Sequence, residues 1–149
     1  MPSGPETGGC SRPAIRAAPR SRLWTGRCCP IPRPLPSGGE FFRLPHCSER
    51  ALAVSSLRDW QAAFTAAGAS LSVLPSGCCG MAGTYGHEAE HRATSEQIYA
   101  MSWGAQVAKL AETSRLLATG YSCRSQVKII DGQVLPHPAQ ALLACLRGG

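Results

Sequence analysis

A chain of 149 residues with a formal net charge of +6 is long enough for one ordinary domain. Its bases are unevenly placed. Residues 1–39 carry six arginines against Glu6 alone, whereas residues 40–149 carry nine bases against eight acids. The excess charge belongs to the front segment, which removes the ground for expecting a nucleic-acid partner, and no stretch is long and apolar enough to span a bilayer.

The front segment, 1–39, also holds eight of the twelve prolines and six of the sixteen glycines. It has no apolar periodicity, so it cannot bury enough apolar surface to offset its ordering entropy. It reads as a disordered Pro/Gly/Arg-rich segment. No apolar run follows the first residues, which argues against a secretory signal. Pro13, Pro19 and the run Pro30-Ile31-Pro32-Arg33-Pro34-Leu35-Pro36 oppose an amphipathic transit helix.

From residue 40 onward the pattern is strand, loop and helix. Phe41 to Leu44 reads as a strand. Ala53, Leu57, Trp60, Phe64 and Ala67 recur at helical spacing, and Gly68 suits the end of that helix. Leu71 to Leu74 reads as a second strand, followed by a glycine-rich loop from Pro75 to Gly86. A long helix is expected over about Thr94–Glu112, with Ile98, Met101, Ala105 and Ala108 on its apolar face and Gly104 as a weak point. Arg115 to Thr119 reads as a third strand. Gly120 to Ser125 reads as a loop, Gln126 to Ile130 as a short apolar-ended element, and Asp131-Gly132 as a turn. Pro138 opens a last helix at a first-turn position, where its missing N–H does no harm. Strands alternating with helices predict an α/β fold: a small, mostly parallel sheet with flanking helices.

Eight cysteines without a secretion signal point to thiol or metal chemistry in a reducing compartment. Cys10, Cys28 and Cys29 fall in the front segment. Cys145 lies in an apolar helical run and reads as a small buried hydrophobe. The remaining four fall just past the ends of the expected strands: Cys47 after the first, Cys78 and Cys79 after the second, Cys123 after the third. In a parallel sheet these ends share one edge, where ligands bind. Four thiolates are the usual complement of an iron–sulfur cluster. A structural zinc site is the competing reading, but its short Cys-x-x-Cys pairs are absent. Glycines around the Cys78-Cys79 pair suggest close approach of the backbone to a bound group.

Cys47, the Gly77-Cys78-Cys79-Gly80 run and Cys123 together resemble the cysteine-rich CCG domain. That domain occurs in heterodisulfide reductases, in anaerobic glycerol-3-phosphate dehydrogenases, and at the C-terminus of FAD-linked oxidases. The resemblance covers roughly 41–147 and is most specific in two segments, Gly77 to Glu88 and Ala118 to Gln126. It is similar in detail to the bacterial FAD-linked D-2-hydroxyacid dehydrogenases of the D-lactate and D-2-hydroxyglutarate type. One departure stands out: the general pattern ends in Cys-x-x-Cys, whereas here it reads Cys123-Arg124-Ser125-Gln126.

The resemblance implies an iron–sulfur cluster of 4Fe-4S type on Cys47, Cys78, Cys79 and Cys123. The implied role is an electron-transfer module, residues 40–149, that relays electrons from a flavin towards an acceptor such as a quinone. FAD would sit in a part of the full-length enzyme for which this chain has no room. The implied partners are a flavin domain and a ferredoxin-like domain, and the chain alone is not expected to oxidise substrate. The implied location is cytoplasmic, at most peripheral to the inner membrane. A second reading is a cluster-free docking piece of the same enzyme. A third rests on His87-Glu88-Ala89-Glu90-His91, which matches the zinc-hydrolase pattern His-Glu-x-x-His. That chemistry needs the two imidazoles one turn apart on a helix. His46 reads as a loop polar residue, and Arg124 as a solvated charge or a counter-charge beside Cys123.

Overall fold

In the computed structural model, residues 35–110 and 114–148 are described. Residues 1–34 of the segment read as disordered, with Cys10, Cys28 and Cys29, lie outside them. Three parallel strands, β1 (Gly39–Leu44), β2 (Ala69–Val73) and β3 (Leu116–Ala118), form one sheet in the order β2-β1-β3. The helices are α1 (Cys47–Leu52), α2 (Val54–Ala66), α3 (Arg92–Ala100), α4 (Trp103–Leu110), α5 (Tyr121–Asp131) and α6 (Pro138–Arg147). The α/β architecture expected from the alternation is the one adopted.

The period-two alternation of the strands builds two cores, one on each face of the sheet. Phe41, Leu71 and Leu117 point to the side covered by α2 and α6, where they meet Phe64, Ala141 and Cys145. Leu44, Leu116 and Ala118 point to the other side, where α3, α4 and α5 supply Tyr99, Trp103, Val107, Cys123 and Val127. Central β1 is largely buried from Phe41 to Leu44 because both faces are covered, as parallel strands require. Cys145 packs as the small buried hydrophobe that its apolar run suggests. Leu35, just ahead of β1, packs against the α2 and α6 core. The Arg115 guanidinium donates to the carbonyls of Gly38 and Glu40, at 2.9 Å each.

Two expectations are corrected. The helix expected over Thr94–Glu112, whose residues 111 and 112 lie outside the described residues, is two helices, α3 and α4, broken at Met101 and Ser102 rather than at Gly104. Its buried face is Ser95, Tyr99, Trp103 and Val107, while Met101 and its companions Ala105 and Ala108 are exposed. The two aromatic residues decide this, because each buries a large ring and still satisfies its polar tip. Tyr99 donates to the Asp131 carboxylate, and Trp103 Nε1 donates to the Gly77 carbonyl at 3.2 Å. The second correction is α5. The stretch read as a loop followed by a short element is one helix of 11 residues. Gly120 stands at its N-cap, and Gly132 ends it in the left-handed conformation, φ +69°. No helix among the described residues is long and apolar enough to cross a membrane.

Candidate metal centre

The chain leaves β1 towards α1 and α2 on one face of the sheet, and leaves β3 towards α5 on the other. These two neighbouring strands stay paired to Leu44 and Ala118, and the segments that follow them part at the C-terminal edge of the sheet, the usual ligand position in a parallel sheet. All four expected residues lie there. Cys47 is the first residue of α1, just past the end of β1. Cys78 and Cys79 lie in the loop after β2, and Cys123 lies in the first turn of α5. The thiols are in mutual reach pairwise: Cys47 with Cys78, Cys78 with Cys79, and Cys79 with Cys123. They grade from exposed Cys47 through half-buried Cys78 to buried Cys79 and Cys123, and none is in a disulfide. Among the described residues no three of these sulfurs stand within 4.8 Å of one another. Cys47 also acts electrostatically on Cys123, so the four thiols form one neighbourhood at this edge.

The donor set suits a bound cation. The Gly80 N–H donates to Cys78 Sγ at 3.3 Å, and the backbone N–H groups of Met81 and Cys79 are directed at Cys79. This requires the loop to turn sharply, with Gly80 at φ +85° and Ala82 at φ +42°. Such a nest of N–H groups favours sulfur in its anionic form. The hydrogen bond from Cys123 brings the Cys79 thiol below its ordinary range, and the same bond, with burial, pushes Cys123 up. Burial pushes Cys78 up despite the Gly80 N–H. Of the two inner thiols, Cys79 is therefore the readier to ionise, and the pair titrates as a unit.

Three polar clasps, one fully buried at Ser95, hold the cysteine segments in place. The first centres on Glu49, two residues after Cys47. Its carboxylate accepts from the Arg43 guanidinium, from Ser56 Oγ at 2.5 Å and from Thr119 Oγ1 at 2.7 Å. It therefore ties α1 to β1, to α2 and to the end of β3. Burial alone would raise the Glu49 carboxyl, but these three donors outweigh it and hold it below the usual carboxylate range. The second clasp is Ser95, which donates to the Gly80 carbonyl at 2.8 Å and accepts from Gln126 Nε2 at 2.7 Å. It joins the Cys78-Cys79 loop to the helix that carries Cys123. A Cβ at Gly80 would overlap the Ser95 carbonyl, and one at Gly86 would stand 2.5 Å from Ser95 Oγ. The third clasp is Ser102, whose Oγ accepts from the Gly77 N–H at 2.6 Å beside the Trp103 bond.

His46 belongs to the site more closely than its sequence position suggests. Its Nδ1 accepts the Ser48 N–H at 3.2 Å and caps α1. Its ring lies over Gly120, where an added Cβ would collide with the ring and stand 2.9 Å from Cys123 Sγ. The sequence held one signal for this, the adjacency of His46 to Cys47, but nothing in it pairs residue 46 with residue 120. Arg124 lines a cavity beside α5 and acts electrostatically on His137.

The His-Glu-x-x-His reading is corrected. Tyr85–His87 is a short 3₁₀ turn, and His91 is the N-cap of α3, so the two imidazoles are not on one helix. Glu88, Glu90 and His91 do gather their ligand atoms within 4.8 Å, but His87 is not among them. The exposed His91–Glu88 pair, 2.7 Å, is a local contact, and His91 stacks on Tyr85.

No family model matches the chain, and no solved structure does. Curated relatives do. The chain is 49% identical over 107 residues to a D-2-hydroxyglutarate dehydrogenase of Pantoea ananatis. It is 45% identical over 111 residues to that of Escherichia coli (strain K12), and 44% identical over 107 residues to that of Haemophilus influenzae. The first match covers 72% of this chain and 10% of the relative, and the second covers 74% and 11%. The chain spans about a tenth of the length of the curated relatives it matches.

Proposed function

We propose that this chain is the iron–sulfur electron-transfer part of an FAD-linked D-2-hydroxyglutarate dehydrogenase, relaying electrons from the flavin towards an acceptor such as a quinone. The observation that carries the reading is the convergence of Cys47, Cys78, Cys79 and Cys123 at the C-terminal edge of the sheet, where the chain leaves β1 and β3 in opposite directions. The sequence favours a cluster over a single zinc ion, because the short Cys-x-x-Cys pairs usual for structural zinc are absent. When bound, a 4Fe-4S cluster supplies a one-electron donor and acceptor.

The chain's own residues hold and shield that group. Cys79 and Cys123 would bind it from the buried side, and Cys47 and Cys78 from the open side. The Gly80, Cys79 and Met81 N–H groups stabilise sulfur charge, and His46 and Gly120 close the wall beside Cys123. The open side suits electron entry or exit. At the other end of the helix that Cys47 begins, Leu52 and, just beyond it, Val54 are exposed, 87% and 56% accessible, which supports docking of a flavin or ferredoxin-like domain near this face.

Anaerobic reconstitution of the full chain with iron and sulfide tests the proposal. The expected product is brown, with about four irons per chain. Cys78→Ser or Cys79→Ser should lose most of the iron and the visible absorption, while Cys145→Ser should keep both. A colourless protein that takes up no iron, or one that binds a single zinc ion in preference, would overturn the reading.

A further inference from the structure

On the side of α5 turned away from the cysteines lies a groove of about 460 Å³, a volume ordinary for a small-molecule site. Three basic side chains line it, His87, Arg124 and Lys128, together with the apolar surfaces of Tyr121, Ile129 and Leu135, and no acid among the described residues lines it. Arg124 and Lys128 stand one helical turn apart, where like charges repel. Arg124 Nε is buried with no hydrogen-bond partner among the described residues. A buried donor in that state is a cost that a bound acceptor removes. Tyr121 and Ile129 leave apolar surface open at the rim, 79% and 40% accessible.

We propose that this groove is a binding site for a small amphipathic anion, a flat apolar body bearing one carboxylate. The carboxylate meets Arg124, whose planar fork matches it, with Lys128 one turn on. The apolar body lies against Tyr121, Ile129 and Leu135, and His87 closes the far side from the loop after the Cys78-Cys79 pair. None of the four cysteines lines the groove, so the site stands whether or not a cluster binds. Its place on the helix that carries Cys123 would let an occupant bear on that segment of the metal centre.

The test uses the full chain and 2-naphthoate as probe, followed by calorimetry and by amide chemical shifts. A ligand of this size at ordinary efficiency should bind saturably, one per chain, with a Kd on the order of 0.1 mM. The shifts should centre on Tyr121 to Ile129. Arg124→Gln should weaken binding about tenfold, and the neutral naphthalene-2-carboxamide should bind about tenfold less tightly than the acid. Leu135→Ala should weaken both probes alike. Equal affinity for acid and amide, inorganic phosphate competing as well as naphthoate, or binding unchanged in Arg124→Gln would each overturn the proposal. So would saturable binding of an acidic peptide with none of naphthoate.

Discussion

Replacing Glu49 by alanine removes one carboxylate and strands several groups at once. Arg43 is fully buried, and its partner Glu49 is 15% exposed. The Arg43 Nε and Nη1 atoms have no hydrogen-bond partner among the described residues, which leaves the Glu49 pair as the guanidinium's hydrogen-bonded counter-charge. Breaking a buried pair from one side leaves an uncompensated charge and costs about 3–5 kcal/mol. Ser56 and Thr119 lose their acceptor as well, at about 1 kcal/mol each, with incomplete additivity. Trp60, with Arg43 5.7 Å from its ring centroid, recovers a part. The net expectation is a loss of about 3–5 kcal/mol, or a Tm lower by roughly 15–30 °C in a domain of this size. Urea unfolding followed by circular dichroism measures it. The pair Arg43→Met with Glu49→Gln removes both charges while keeping volume, and should cost under about 2 kcal/mol. A Glu49→Ala loss below about 1 kcal/mol, or a double variant as damaged as the single one, would refute the assignment of Glu49 as the clasp.

Glycine positions near the centre should separate crowding from backbone strain. Gly80→Ala meets both a positive φ and the Ser95 carbonyl and should cost about 2–4 kcal/mol; Gly132→Ala, with open space around it, should cost only about 1 kcal/mol. Equal losses in urea unfolding would mean that the Ser95 contact is not tight. In the metal-free chain, mass-spectrometric mapping of alkylation should find Cys47 modified first and Cys78 more slowly, with Cys79, Cys123 and Cys145 modified only on unfolding; a uniform rate at all five would contradict the burial gradient. Burial and the nearby Arg124 and Arg43 charges lower the His137 imidazole from 6.5. Its neutral form is therefore the folded one, and stability should decline as pH falls through about 6.5, where the unfolded chain takes up a proton first. Asn at 137 keeps an N-cap acceptor for α6 and should flatten this decline in the urea midpoint; identical pH slopes in both proteins would exclude His137 as its source.

Much of the fold was legible because its signals are local. The strands around Phe41, Leu71 and Leu117 and the ending of α2 at Gly68 follow from short-range pattern. Once the strands are placed, the topology itself delivers Cys47, Cys78, Cys79 and Cys123 to one edge. What was not legible depends on tertiary packing. Helix α5 contains Ser122, Ser125, Val127, Ile129 and Ile130, none of them strong helix formers, and its helicity is fixed by burial of Cys123, Gln126 and Val127. The apolar face read from Ile98, Met101 and Ala105 lost to Tyr99 and Trp103, because a ring with a bonded polar tip buries more surface than an alanine. The clasps were invisible for a different reason: Glu49 and Thr119 are 70 residues apart, and Ser95 and Gln126 are 31 apart. No periodicity links such pairs.

These clasps bear on how the proposed centre would work. Small metal-binding domains commonly fold only when the metal arrives, because the ion is their main cross-link. Here each cysteine segment is already cross-linked by the chain: α1 through Glu49, the Cys78-Cys79 loop through Ser102 and Ser95, and α5 through Gln126. Two apolar cores lie on either side of the sheet, and the one around Phe41 and Phe64 includes none of the four cysteines. The metal-free chain should therefore keep its fold, and Cys78→Ser should remove iron while leaving the far-ultraviolet spectrum and the urea midpoint nearly unchanged. Glu49→Ala should do the reverse in order of cause, loosening the fold first and the iron with it. Loss of iron in both variants, with loss of fold in only one, distinguishes a residue that binds the group from one that positions its ligands. If Cys78→Ser unfolds the chain as far as Glu49→Ala does, the site is not preorganised and the clasps are a consequence of metal binding rather than its scaffold.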